Sequence, residues 1–264
     1  MRPARLNPAP LARPGVVLVA HGSRDPRAAV ATEALARAVR RARPEWVVRA
    51  SYLDHAGPRP LDVLGSLAGS RAVLVPLLLT AAYHGRVDLP AVVREAAEVL
   101  PIRVTASEVL GPISPLLLAA LCRRLPGLSP RLAGSPSGSS DGACLDGVVL
   151  ASAGTRNAVA RATVADAAAA LGRRLGVPSA VAYASGSGPT AGEAVAALRA
   201  AGARRVGMAA YFLAPGLLYD VAVRSALEEG AVAVAEPLGD APELVRLVAA
   251  RAESVLNGSL AAVA

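Results

Sequence analysis

The segment VVLVAHGSRD at residues 16–25 returns as VVLASAGTRN at residues 148–157, 132 positions further on. Later anchors repeat in the same order at nearly the same spacing: Ser51 and Tyr52 with Ala182 and Tyr183, Pro58 with Pro189, Arg71 and Val73 with Arg204 and Val206, Leu110 and Gly111 with Leu238 and Gly239. A chain of this kind folds one motif twice. Whatever architecture the first half takes must be one that the second half can also take.

In the first half, apolar runs at 16–20, 47–53, 73–79 and 102–106 alternate with helical stretches at 26–43, 60–68, 88–100 and 114–125. Ser114 before Pro115, and Asp88 before Leu89 and Pro90, pair an N-cap side chain with a first-turn proline, which together start helices. In the second half Thr190 and Glu193 form a capping-box pair. Strands separated by helices need crossover connections and therefore run parallel. The expected fold class is α/β: two tandem domains, each a four-stranded parallel sheet flanked by helices, related by internal duplication and packed as lobes about a cleft. Residues 1–14 are an N-terminal extension, 15–125 the first domain, 126–147 a linker dense in Pro, Gly and Ser, and 148–264 the second domain.

Composition narrows the function. The net charge of +8 comes from arginine alone, since all 28 basic residues are arginine. They are scattered, and aromatics are only 3% of the chain, so the stacking platforms and basic stripes of a nucleic-acid binder are missing. Mean hydropathy is high at +0.43, yet no apolar run reaches the ~18 residues of a membrane span. Residues 1–15 lack a secretory apolar region. A soluble cytoplasmic protein with neither nucleic-acid nor membrane partner is expected. Cys122 and Cys144 have no metal-ligand spacing, so any metal chemistry rests on histidine and carboxylate.

The three histidines, His21, His55 and His84, lie in the first third of the chain, each at or soon after the end of an apolar run. Ligands of open α/β sheets bind outside the carboxyl ends of the strands, so these imidazoles belong to one crevice. The duplication supplies an internal control: Ala153 stands at the His21 position, Ser185 and Gly186 at those of Asp54 and His55, and Gly216 and Leu217 near that of His84. The motif folds without imidazoles, which assigns them to chemistry rather than packing. Other chemistries are disfavoured. The SGSGP segment at 185–189 has neither nucleotide-binding glycine spacing, Gly22-Ser23-Arg24 lacks the flanking glycines of a nucleophile elbow, and Ala20 stands where a histidine phosphatase carries arginine.

VAHGSRD at 19–25, YLD at 52–54, VPLLL at 75–79 followed by His84 and Asp88-Leu89-Pro90, and VLG at 109–111 together resemble the CbiX/SirB family of class II chelatases. The longer members of that family fuse two chelatase-like, flavodoxin-like domains. The resemblance implies insertion of a divalent metal into sirohydrochlorin without ATP. Fe2+, giving sirohaem, is favoured because no cobalt-associated His-rich tail is present; Co2+, towards cobalamin, is the other option. It implies His21 and His84 as metal ligands or bases, and Asp54, where many members carry Glu, as a carboxylate that ligates or orients. It assigns His55 no role. The metal is a substrate, and no tightly bound cofactor is expected.

Two imidazoles and a carboxylate suit a borderline divalent ion that must later be released, and imidazole also accepts a proton near neutrality. Around that centre Arg24 and Arg86 are placed to anchor the carboxylates of the tetrapyrrole, and the backbone N–H groups of Gly22 and Ser23 to receive one of them. Plainer roles compete. Asp54 could cap the next helix or pair with Arg59, Arg24 could be structural like its counterpart Arg156, and Asp88 reads as an N-cap only. The expected partners are sirohydrochlorin and the divalent metal, and the internal pseudo-dimer suits a monomer. The rival from another class is a noncatalytic metal or tetrapyrrole carrier, which would use the same imidazoles to bind without inserting.

Overall fold

The computed structural model describes residues 13–69, 71–80, 83–126, 144–186 and 188–261, leaving aside the side chains of 83–88 and 259–261. The first half runs β1 (Gly15–Ala20), α1 (Pro26–Ala42), β2 (Val47–Tyr52), α2 (Pro60–Gly65), β3 (Arg71–Pro76), α3 (Tyr83–Val99), β4 (Arg103–Ala106) and α4 (Pro115–Arg124). The second runs β5 (Gly147–Ser152), α5 (Ala158–Leu175), β6 (Ser179–Tyr183), α6 (Ala191–Ala200), β7 (Val206–Tyr211), α7 (Leu217–Glu228), β8 (Ala233–Val234) and α8 (Pro242–Ala261). Of the expected extension and linker, residues 1–12 and 127–143 lie outside the described residues.

Each half forms a four-stranded parallel sheet, in the orders β2-β1-β3-β4 and β6-β5-β7-β8. The duplication read from sequence is thus a duplication of topology. Along β1, Val16 and Leu18 enter one apolar core and Val17 and Val19 another. Helices cover both faces, so both sets of the alternating side chains must be apolar and the strand reads as a continuous run. Ser114 caps α4, its hydroxyl accepting from the N–H of Leu117, and Thr190 and Glu193 close the capping box of α6.

One reading is corrected. The helix expected to start at Asp88 begins at Tyr83, so Asp88 lies inside α3 and is not its N-cap. Pro90 is carried within the helix. A proline removes a single ladder bond, and the turn before it still forms when the rest of the helix is packed. Among the described residues no helix is long and apolar enough to cross a membrane.

The halves are interlocked by their last helices. α4, from the first half, packs on α5 and β7, while α8, from the second, packs on α1 and β3, and the two helices touch each other. Accordingly one apolar core runs through both lobes, joining Leu18, Val39 and Leu121 to Leu150, Met208 and Val248. Arginines fasten the exchange. Arg123 on α4 donates from Nε and Nη2 to the carboxylate of Glu243 on α8 at 2.7–2.9 Å, and Arg43 pairs with Glu253 at 2.5 Å. Arg124 donates to the carbonyl of Leu238 at 3.0 Å.

Glu243 is buried, and the Arg123 hydrogen bonds hold its carboxyl below the usual glutamate range. Arg123→Ala leaves that carboxylate without its main partner and is expected to lower the melting temperature, by less than the loss of a fully buried pair because the arginine itself is half-exposed. A lowered folded-state pKa contributes stability above the ordinary value of about 4.3 and loses it as pH falls through the folded-state value. Urea melts between pH 3 and 7 should therefore show that Glu243→Gln flattens the loss of stability on the acid side.

Candidate functional site

In the order β2-β1-β3-β4 the chain leaves β1 towards one edge and returns to its other side, so the strand order reverses between β1 and β3. Crevices open at the carboxyl ends of such a reversal. His21 is the first residue beyond β1.

Two backbone bonds zip the exits of β1 and β2 together: Leu53 N–H to the Ala20 carbonyl at 3.0 Å and Asp54 N–H to the His21 carbonyl at 2.8 Å. Gly22 permits this contact. It has φ +97°, and a Cβ there would lie 1.8 Å from the carbonyl oxygen of Asp54. The result sets His21 beside His55, ring centres 6.0 Å apart and planes at 88°. Nε2 of His55 is 3.6 Å from Oδ2 of Asp54. The Asp54 carboxyl lies below its usual range, first because it accepts the backbone N–H of His55 and further because His55, Arg59 and His21 are near. It is a carboxylate at neutral pH, half-exposed and aligned with two imidazoles.

The remaining sequence-predicted residues divide. The Ser23 hydroxyl accepts from the Asp25 N–H at 3.1 Å, and Asp25 caps α1 through the Arg27 N–H at 2.9 Å. Arg24 is exposed at this helix start. Asp54 does not cap α2, where Asp62 accepts the Arg59 N–H, although the Arg59 guanidinium stands 4.0 Å from Asp54. The backbone places His84 in the first turn of α3, on the far side of the β1/β3 reversal from His55. The side chains of His84 and Arg86 lie outside the described set.

The second lobe repeats the scaffold without the chemistry. Gly154 has φ +96° and its Cβ would lie 2.0 Å from the Ser185 carbonyl. Thr155 accepts from Asn157 N–H at 3.2 Å, and Asn157 caps α5 through Ala160 N–H at 3.0 Å. The turns match; the titratable side chains do not.

Tyr211 and Gly111 were not singled out as site residues by sequence. The Leu78 carbonyl accepts the N–H groups of Leu110 and Gly111 at 2.9 and 3.2 Å, and a Cβ on Gly111 would lie 1.9 Å from the Leu79 carbonyl. The hydroxyl of buried Tyr211, at the end of β7, donates to that same Leu79 carbonyl at 3.3 Å. The second lobe thus touches the segment that leads to His84. An aromatic closing the apolar strand VGMAAY is the sequence signal for it. A groove of about 680 Å³ lies beside this segment on the first lobe, lined by Pro76, Leu89, Val93, Arg94, Ser107 and Gly111 among others. Among the described residues no group of three or more His, Cys, Asp or Glu side chains is arranged to hold a metal ion.

Fold and site together define a duplicated, doubly wound α/β protein with imidazoles and a carboxylate gathered at the strand exits of one copy. The pattern of the CbiX family matches residues 15–127 and 147–255, and the chain belongs to that family. Comparison with curated proteins gave no match. Solved structures that share the fold include the following three. SirB from Bacillus subtilis with Fe3+ has a TM-score of 0.70 at 19% identity, over 94% of this chain and 97% of that one. The sirohydrochlorin chelatase SirB from Bacillus subtilis subspecies spizizenii in complex with cobalt has a TM-score of 0.65 at 17% identity, over 91% and 94%. CbiX, the terminal enzyme for biosynthesis of siroheme in denitrifying bacteria, has a TM-score of 0.61 at 21% identity, over 91% and 98%.

The zipped exits generate a prediction. Gly22→Ala forces a Cβ into the Asp54 carbonyl at a left-handed backbone and should destabilise the protein by about 2 kcal/mol or more. Gly154→Ala should cost a similar amount, as the repeat makes the same contact. Thermal melts of the two variants check this, and only Gly22→Ala should also disturb ligand binding.

Proposed function

We propose that the chain is a sirohydrochlorin chelatase, inserting a divalent metal into the tetrapyrrole without ATP, with Fe2+ favoured and Co2+ the alternative. The observation that carries this reading is the packing of His21, Asp54 and His55 at the exits of β1 and β2, in a chain of the CbiX family. The fold it shares with SirB and CbiX supports it.

Metallation replaces two pyrrole N–H protons by one M2+, so the site must present the ion, accept protons and hold the ring. His21, at the end of β1, serves as metal ligand or base. His84 does so from the first turn of α3, across the reversal in strand order. The Asp54 carboxylate offsets the charge of the incoming ion and ligates or orients it. Imidazole and carboxylate bind Fe2+ and Co2+ without the grip of thiolates, which suits an ion that must be handed on. Arg24, Arg86 and the N–H groups of Gly22 and Ser23 take the peripheral carboxylates.

In this scheme residues 15–125 carry the chemistry, 126–147 connect, and 148–264 are a degenerate copy that braces the site. The Arg27–Asp220 pair, with guanidinium nitrogens 2.5 and 3.3 Å from the α7 carboxylate, and the Tyr211 hydroxyl on Leu79 are the supporting contacts. Free Cys122 and Cys144 fit the reducing cytoplasm.

The test is an anaerobic absorbance assay of sirohydrochlorin with Fe2+ or Co2+, with and without protein. His21→Ala and His84→Ala should each lower the protein-dependent rate about 100-fold or more, while Asp54→Asn should lower it without disturbing the fold. No acceleration by the parent protein overturns the reading; a shifted spectrum of bound ring without acceleration indicates a carrier instead.

A further inference from the structure

We propose that Arg13, Arg40 and Arg49 form a second ligand site, a pocket for a small oxyanion of two or more negative charges at the amino end of the first sheet. Arg13 precedes β1 by two residues, Arg40 lies in the last turn of α1, and Arg49 is on β2, an edge strand of the sheet. With Trp46, Leu67 and Gly69 they line a pocket of about 380 Å³. His21 and the crevice stand at the other end of β1, six residues or roughly 20 Å away.

The second lobe is again the control. Aligned through the repeat, the β1–β2 and β5–β6 registers set Leu145 at the Arg13 position, Gly172 at that of Arg40 and Ala180 at that of Arg49. There the corner is closed. Leu145 is buried against Gly207, and a Cβ on Gly172 would lie 2.5 Å from the Ser179 hydroxyl. The motif completes this corner with small and apolar residues, so packing does not call for three guanidiniums in the first lobe.

The charges have no counterpart in the protein. Among the described residues none of the three arginines forms an ion pair, and no carboxylate lines the pocket. Each is instead tethered to a backbone carbonyl: Arg13 Nη2 donates to Trp46 at 2.7 Å, Arg40 Nη2 to Val48 at 2.9 Å and Arg49 Nη1 to Val48 at 3.3 Å. A guanidinium carries five N–H donors, so a tether fixes the fork and leaves donors for a ligand. Nε of Arg40 is shielded from solvent and has no hydrogen-bond partner, a costly state for a donor. Like charges gathered in one pocket repel, and an oxyanion supplies the missing negative charge through charge-assisted bonds. Arg13 and Arg49 are exposed, so an anion reaches them from solution. Trp46 is buried beneath the Arg43 guanidinium and offers no face on which a base could stack, which favours a small anion over a nucleic-acid strand.

The experiment titrates the full-length protein with inorganic phosphate and, separately, with citrate, by calorimetry and thermal melts at an ionic strength held constant with chloride, for the parent, Arg49→Ala and Arg40→Gln. The parent should bind at least one of the two anions saturably and melt higher in its presence, and each variant should bind it about tenfold or more weakly. The anion bound more tightly assigns the ligand as a phosphoryl compound or a polycarboxylate. Arg49→Ala carries the residue the second lobe uses, and without added anion it should melt no lower than the parent, since it relieves repulsion. Arg40→Gln also loses a tether to Val48, so if it melts low the binding by Arg49→Ala decides. A parent that responds to neither anion beyond chloride overturns the proposal, as does parental affinity in Arg49→Ala. The chelatase reading is decided separately, by the parent's rate of sirohydrochlorin metallation.

Discussion

The exchange of last helices is what makes this chain one body rather than two. A parallel sheet exposes two apolar faces, and each must be covered by helices before its backbone and side chains can leave water. Here α4 closes a face of the second sheet and α8 a face of the first, so neither lobe completes its own core. The buried Glu243 carboxylate, gripped in fork geometry by Arg123, pins the two exchanged helices where they meet. An ion pair of this kind contributes geometric specificity as much as energy, since only one register of α4 on α8 satisfies it. The precision of the site depends on that register, because contacts from the second lobe reach the β1 and β3 exits through Arg27 and Tyr211.

Within the first lobe the decisive contact is the approach of Gly22 to the Asp54 carbonyl. It presses two strand exits together and so converts residues 33 positions apart in sequence, His21 and Asp54, into neighbours. The second lobe makes the same approach at Gly154 without any titratable group, which separates two demands that single-copy proteins confound. The glycine serves the turn in both lobes, and the imidazoles and carboxylate stand at it in the first lobe alone. The same comparison isolates His55, whose backbone is unfavourable where Gly186 is at ease.

Much of the fold was legible in the sequence because its signals are local. The duplication, the strand–helix alternation, the Ser114 cap and the Thr190–Glu193 box all rest on residues close together in the chain. The start of α3 was misread for the same reason: Asp88-Leu89-Pro90 carries a strong local start signal, and the helix nonetheless begins at Tyr83. His21, Asp54 and His55 were assigned to one crevice as strand-end residues, but the edge-to-face approach of the His21 and His55 rings was not. It follows from φ +59° at His55 and from the strand-exit bonds, neither of which is written in residue type.

By itself the sequence determined that one βα motif occurs twice, that both sheets are parallel, and that the imidazoles belong to the first copy. Apolar periodicity, capping residues and repeat anchors act over a few residues, so they can be read in one dimension. The tertiary structure decided the helix exchange, the reach of Tyr211 to Leu79 and the edge-to-face geometry of the His21 and His55 rings. These depend on which surfaces remain uncovered once the strands have paired, and that is a property of three-dimensional packing rather than of spacing along the chain.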